Sequence, residues 1–276
     1  MTTPHATTMP SAATPDLRHL ETRTPRGDAR GVAGALTSEW IKAVTVRATG
    51  TILALVLLGG LAVSWSVSTF VTDRVQYVAD VGFLWTGVTA MLAAIAGVLL
   101  FGSEVQHGTL ASTLAARPAR WIIVLAKTLV AATVGLVLGA AGLAAGFGGA
   151  VLAGLGAGDT SSVATTIGWA LLYTSLSAVL GLGLSMVVRN STAAIGGLLV
   201  WAFVVENLFR LFLADEIARF LPFVAGNHLL SDGSGFESAE ALAVALTRPE
   251  NALVFGGYTL VAVVLGTVLL YRRDTN

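Results

Sequence analysis

Few side chains in this sequence could do chemistry, and their spacing argues against catalysis. The four histidines, His5, His19, His107 and His228, stand far apart and lack the His-Glu-x-x-His spacing of a zinc protease. Lys127-Thr128 has none of the glycines that a phosphate-cradling Gly-x-x-x-x-Gly-Lys-Ser/Thr loop requires, so no ATP site is expected in this chain. The absence of cysteine removes thiolate nucleophiles, disulfides and cysteine-ligated metals together. Ser64, Ser66, Ser175, Ser177, Ser185 and Glu206 lie inside apolar runs, with no His or Asp at that depth to complete a hydrolase. The reading is a non-enzyme, with no catalytic, metal-binding or cofactor-binding residues of its own.

Two places remain where polar chemistry is concentrated. Glu206 is the one carboxylate well inside an apolar run, where an ionisable group costs about 2.5–3.5 kcal/mol and calls for an explanation. Counted from Arg189, a helix rising 1.5 Å per residue puts it roughly 25 Å up, in the outer part of a bilayer core. Arg210 follows one turn later. Glu206 and Arg210 are either a structural ion pair near the outer interface or parts of an outer gate. The second place is Gly102-Ser103-Glu104-Val105-Gln106-His107-Gly108-Thr109-Leu110, running on through Arg117-Pro118-Ala119-Arg120 to Lys127. Leu110 and Leu114 sit one helical turn apart, and Pro118 interrupts the helix before it restarts. A helix–turn–helix of this kind is a stiff lever whose tip can seat in a partner.

The elements that position these groups are apolar spans. Of the 276 residues, 55% are apolar and only 12% charged, against about 25% charged in ordinary soluble domains. Mean hydropathy is +0.79. An apolar run of about 20 residues crosses a bilayer as a helix. Six are expected, at about 49–70, 81–101, 121–153, 167–188, 191–213 and 251–271, making an all-α membrane protein. Loop 102–120 joins the second and third, and the segment 214–250 joins the last two. That segment mixes acidic residues with Phe220, Leu221 and Phe223, which suits short helices dipping into the interface. Gly135, Gly139, Gly142 and Gly146 in the third span allow close helix approach, either within the chain or at a dimer seam.

Charge sets the orientation. Lys42, Arg47, Arg117, Arg120, Lys127, Arg189, Arg272 and Arg273 fall on one side with the arginines of the N-terminal tail. Only Arg74, Arg210, Arg219 and Arg248 fall on the other, so the positive-inside rule puts both termini and loop 102–120 in the cytoplasm. Residues 1–35, rich in Thr, Pro and Ala, are expected to be a disordered tail, and no signal-peptide core follows its first charges. Residues 36–47 read as a short amphipathic surface helix. Its Leu36, Trp40 and Val44 make an apolar stripe, and Glu39 and Lys42 share another face.

Taken together, these residues resemble bacterial permeases of the ABC type-2 exporter family. Ser38-Glu39-Trp40-Ile41-Lys42 ahead of the first span is similar to the start of many of them. So are Glu104-x-x-x-Gly108-Thr109 with Arg117-Pro118 and Lys127 downstream, and Trp201 to Asn207 ahead of Leu221-Pro222. The resemblance covers about residues 36–273. It implies a half-channel in the bacterial plasma membrane, paired with a second permease copy or homologue and with two separate ATPase subunits that bind ATP and Mg. Membrane lipids are the other expected contacts, and no nucleic acid is. The family's ATPase-contacting positions fall here on Glu39, Trp40, Lys42, Glu104, His107, Gly108, Thr109, Leu110 and Arg117. The substrate is unidentified; a mostly apolar lining with few fixed charges favours an amphipathic cargo, such as a drug, a peptide or a lipid. A membrane scaffold or sensor subunit is the rival reading.

Overall fold

The computed structural model describes residues 25–71, 73, 75–108, 120–231 and 244–273, which are helical and turn segments with no strand among them. Helix α1 runs Pro25–Thr45 and α2 Arg47–Phe70, broken only at Val46, whose backbone is extended (φ −73, ψ 125). A short α3, Val78–Val81, leads into α4, Thr86–Gln106. Then come α5, Arg120–Leu152, and α6, Val163–Val188. Next is α7, Ser191–Phe212, interrupted by a π-helical turn at Trp201–Val205. Two short helices, α8 (Asp215–Ala218) and α9 (Pro222–His228), precede the last, α10, Arg248–Arg273. Among the described residues, six helical stretches are long and apolar enough to cross a membrane: α2, α3–α4, α5, α6, α7 and α10.

Local sequence explains several of the joints. Asp80 reaches back to the Tyr77 backbone N–H (3.0 Å) and starts α3. Between α6 and α7 the chain turns in two residues. Arg189 takes a left-handed conformation (φ 55) that ends α6, and the Asn190 side chain accepts from the Ala193 N–H (3.0 Å) to begin α7. At α10 the Glu250 carboxylate accepts from both the N–H and the hydroxyl of Thr247 (2.8 Å each), satisfying donors that helix starts leave open.

Packing sorts the spans into centre and rim. About 61% of the apolar windows of α5 and α6 is buried, against 22% for α2 and α7, so α4, α5 and α6 form the core. The core exists because small residues let backbones touch. A Cβ on Gly97 of α4 would lie 1.8 Å from the Ala178 carbonyl oxygen of α6, and one on Gly181 would lie 1.9 Å from that of Ala94. The glycines of α5 are used the same way inside the chain: Gly135 lies against Thr174 and Gly142 against Thr89. Gly97→Val should therefore prevent recovery of a monodisperse folded chain, exceeding the ~1–3 kcal/mol usual for overpacking because the obstacle is backbone. Gly168→Val, with nothing within 4 Å of its added Cβ, should not. A normal size-exclusion peak for Gly97→Val would refute so close a crossing.

One end of the bundle gathers the last turns of α4, α6 and α10. Phe101, Met186 and Leu270 share a buried cluster there, and Gly102 faces Ser185 and Ser191. The other end holds Tyr173, Phe223, Leu229 and Phe255. Basic residues Lys42, Lys127, Arg189 and Arg272 belong to the first end.

Two expectations from the sequence need correction. The first helix begins at Pro25, inside the stretch read as a disordered tail. Its extra turns hold Val32, Ala35 and Leu36 against Ile122 and Ala126 of α5, a long-range contact that local composition does not reveal. Residues 1–24 lie outside the described residues. Secondly, Gly102–Gln106, read as the start of a loop, continue α4. His107 and Gly108 (φ 67) end the helix there. Within α1, Ala35, Glu39 and Ala43 face inward, with Leu36 packed beside them, whereas Trp40, Ile41 and Val44 are exposed.

Candidate functional site

The inward face of α1 has a cause at the basic end of the bundle. Glu39 and Lys42 on α1, Glu104 in the last turn of α4 and Lys127 in the second turn of α5 form a closed quartet of alternating charge. Lys127 Nζ donates to Glu39 Oε2 (2.6 Å) and lies 2.9 Å from Glu104 Oε1. Lys42 Nζ donates to Glu39 Oε1 and to Glu104 Oε1, both at 2.8 Å. Side chains of Lys127, Glu39 and Glu104 are 2%, 7% and 8% exposed, and that of Lys42 is 44% exposed, so three charges are sealed and one looks out.

Burial opposes the charge on Glu39, but Lys127 and then Lys42 prevail and hold its carboxyl below the ordinary value. For Lys42 burial again works against the ammonium, and its bonds to Glu104 and Glu39 win, raising its pKa. A lowered carboxyl loses its contribution only as pH falls below the ordinary 4.5, and a raised lysine only as pH rises past 10.5. Across the whole neutral range these two groups therefore contribute constant stabilisation. Charges buried this way are strongly destabilising to unpair, by about 3–5 kcal/mol.

The quartet brings together three of the positions anticipated for coupling, Glu39, Lys42 and Glu104, but as an internal tie and not as an exposed contact. His107 caps α4 with its ring Nδ1 2.7 Å from the Ser103 carbonyl oxygen, and is exposed beside Gly108. Trp40 is exposed on the opposite face of α1. Thr109, Leu110 and Arg117 lie outside the described residues. Lys127 is the member that sequence reasoning passed over. The available signal was a lone lysine inside an otherwise apolar run, the same kind of anomaly that singled out Glu206.

At the other end Glu206 is buried (2% exposed) but is not paired with Arg210. Its Oε1 accepts from the Trp201 indole N–H (2.9 Å) and from the Phe223 backbone N–H (2.9 Å), and its Oε2 from the Val224 N–H (3.0 Å). Helix α9 begins at Pro222, so these are two of the donors that every helix start leaves without partners. A buried helix start needs acceptors, and Glu206 supplies them from a different element. The π turn at Trp201–Val205 immediately precedes Glu206, a local irregularity common at functional positions. Arg210 is exposed one turn further on.

A helical bundle with six stretches able to cross a membrane and a buried charge quartet at one end is a multi-pass membrane protein. Residues 35–275 match the family described as ABC-2 family transporter protein, and the chain belongs to that family as the permease component of an ABC transporter. Comparison with curated proteins returns no match. Membership implies an ABC ATPase as partner in general.

Proposed function

We propose that this chain is the membrane half of an ATP-driven exporter in a bacterial plasma membrane, with its quartet end and both termini in the cytoplasm. The observation that carries the reading is the quartet itself, which ties the helix ahead of the first span to the helices on either side of residues 109–119. A push on that segment cannot move α4 and α5 alone; it carries α1 with them. His107, Gly108, Thr109, Leu110 and Arg117 are then the contact with the ATPase. Glu39, Lys42, Glu104 and Lys127 pass the motion on, and Trp40 anchors α1 at the membrane surface. The chain binds no cofactor of its own. Two ATPase subunits bind ATP and Mg, and a second permease copy or homologue completes the pathway, which opens by alternating access or as a transient channel. Glu206 holds the outer gate closed through α9, and the cargo is amphipathic.

Gentle purification of the tagged chain, with co-purifying proteins identified by mass spectrometry, should recover a stoichiometric P-loop partner. In the reconstituted complex Leu110→Asp should lower cargo-stimulated ATP hydrolysis at least about tenfold, the loss expected for one buried interface anchor, without lowering the yield of inserted chain. Full stimulation in that variant would sink the coupling assignment. The absence of any ATPase under several gentle conditions would favour a scaffold or sensor subunit instead.

A further inference from the structure

At the end of the bundle away from the quartet lies a cavity of about 340 Å³ between the first turns of α4, the second half of α7, and α9. This falls within the range of about 300–1,000 Å³ typical of small-ligand sites. Its walls are apolar where it meets the spans, with Leu84, Val88 and Met91 on one side and Phe203 and Phe223 on the other. Tyr173, Glu206, Asn207, Arg210, Asn227 and His228 bring polar side chains to it, and Arg210 is the cation among them with a fixed charge. Both oxygens of Glu206 are taken by three N–H donors. The Asn227 side-chain oxygen accepts from the Tyr173 hydroxyl (3.3 Å). Arg210 lies within electrostatic reach of Glu206 but makes no hydrogen bond or ion pair among the described residues. Its exposed guanidinium has donors that no described residue takes up.

A half-open cleft with an apolar wall and an exposed guanidinium at its polar rim suits a ligand with a single anionic head and an apolar tail. The planar fork of arginine matches a phosphate or carboxylate with two parallel bonds. A free anion would leave the wall of Leu84, Val88 and Met91 uncovered, and a purely apolar ligand would leave the guanidinium unused. We propose that this cavity binds an anionic amphiphile, its headgroup on Arg210 and its tail along Leu84, Val88 and Met91. Such a site sits beside α9 and Glu206, where cargo would leave the bundle. The inference rests on the chain being a membrane permease but not on ATP coupling, and its test needs no ATPase.

The purified full-length chain in a nonionic detergent would be incubated with lysophosphatidylglycerol, lysophosphatidylcholine of the same chain length, or glycerol phosphate, and bound adducts counted by native mass spectrometry. Lysophosphatidylglycerol should be retained about tenfold better than the zwitterionic lipid, the increment of one charge-assisted hydrogen-bonded contact. Arg210→Gln should erase that preference and Arg210→Lys should keep most of it. Val88→Trp, which fills the chamber, should lower retention of both lipids, while Arg47→Gln at the opposite end should change nothing. Equal retention of the two lipids, or an unchanged preference in Arg210→Gln, would overturn the proposal. Glycerol phosphate binding as well as the lipid would do the same, by showing a site for the free anion.

Discussion

Replacing Lys127 by methionine should leave the chain unable to hold α1 against the bundle at neutral pH. The side chain is 2% exposed, and its ammonium lies 2.6 Å from Glu39 and 2.9 Å from Glu104. Methionine fills nearly the same space, so the change is almost purely electrostatic. Two buried carboxylates would then share Lys42, which is half in solvent, and unpairing of this kind costs about 3–5 kcal/mol. The expected result is a fall in thermal stability of the detergent-purified chain large enough to lose much of it at 37 °C. The pH dependence carries the sharper signature. In the native chain Glu39 is held low by Lys127 and Lys42. Without Lys127 its burial is no longer outweighed, so its pKa should rise above the unfolded value. A group raised in this way contributes stability at low pH and loses it as pH rises, so the variant should recover towards pH 5 where the native chain stays flat. Adding Glu39→Gln should restore much of the loss at neutral pH, because Lys42 and Glu104 then remain as a matched pair. A variant as stable as the native chain at pH 7, or one with no recovery on acidification, would show that the quartet is an incidental surface contact.

That quartet also marks the boundary of what the sequence makes legible. The six spans follow from apolar length alone, since no other arrangement hides so many unbroken apolar windows, and the structure has all six. Pairing of Glu39 with Lys42 follows from their spacing on one helix, and it is present at 2.8 Å. What spacing cannot say is which face of α1 turns inward. The decision lies with Lys127, 88 residues away, whose buried ammonium needs carboxylates more than the apolar stripe needs cover. With Trp40 and Val44 outside, the stripe is left for lipid or a partner to cover. Glu206 shows the same limit. The local rule offers Arg210 at i+4 as its partner, but the buried N–H groups that open α9, 17 and 18 residues on, have no alternative acceptor and take precedence. In both cases the anomaly is visible in one dimension, as a charge inside an apolar run, and its resolution is a contact between distant segments.

The capping of α9 leads to the second large effect, an unlatching of the outer end in Glu206→Gln. Glutamine looks like the mildest replacement, yet here it is not. Three donors converge on the carboxyl group: the Trp201 indole, the Phe223 N–H and the Val224 N–H. An amide offers one oxygen and turns an NH₂ donor towards one of those N–H groups, so at least one buried donor must lose its partner. Leaving a buried polar group unsatisfied costs about 1–3 kcal/mol, enough to raise the open population of a seven-residue helix on the order of tenfold or more without unfolding the spans. The sequence contains no cysteine, so a single one at Ala225, 0% exposed, reports directly on whether α9 has lifted. Thiol labelling of the purified chain by a maleimide should be slow with Glu206 present and about tenfold faster in Glu206→Gln. Arg210→Gln should leave the rate unchanged, because Arg210 is not the latch. Equal labelling in all three would mean that α9 is held by its other contacts, with α6 and α10. A rate increase in Arg210→Gln matching that in Glu206→Gln would restore the ion pair that the geometry replaces. The expected split between the two variants separates a gate held by a buried cap from one held by a surface charge. It also predicts that transport, once assayed, will follow Glu206 whatever the salt concentration, since only the exposed charge is open to screening.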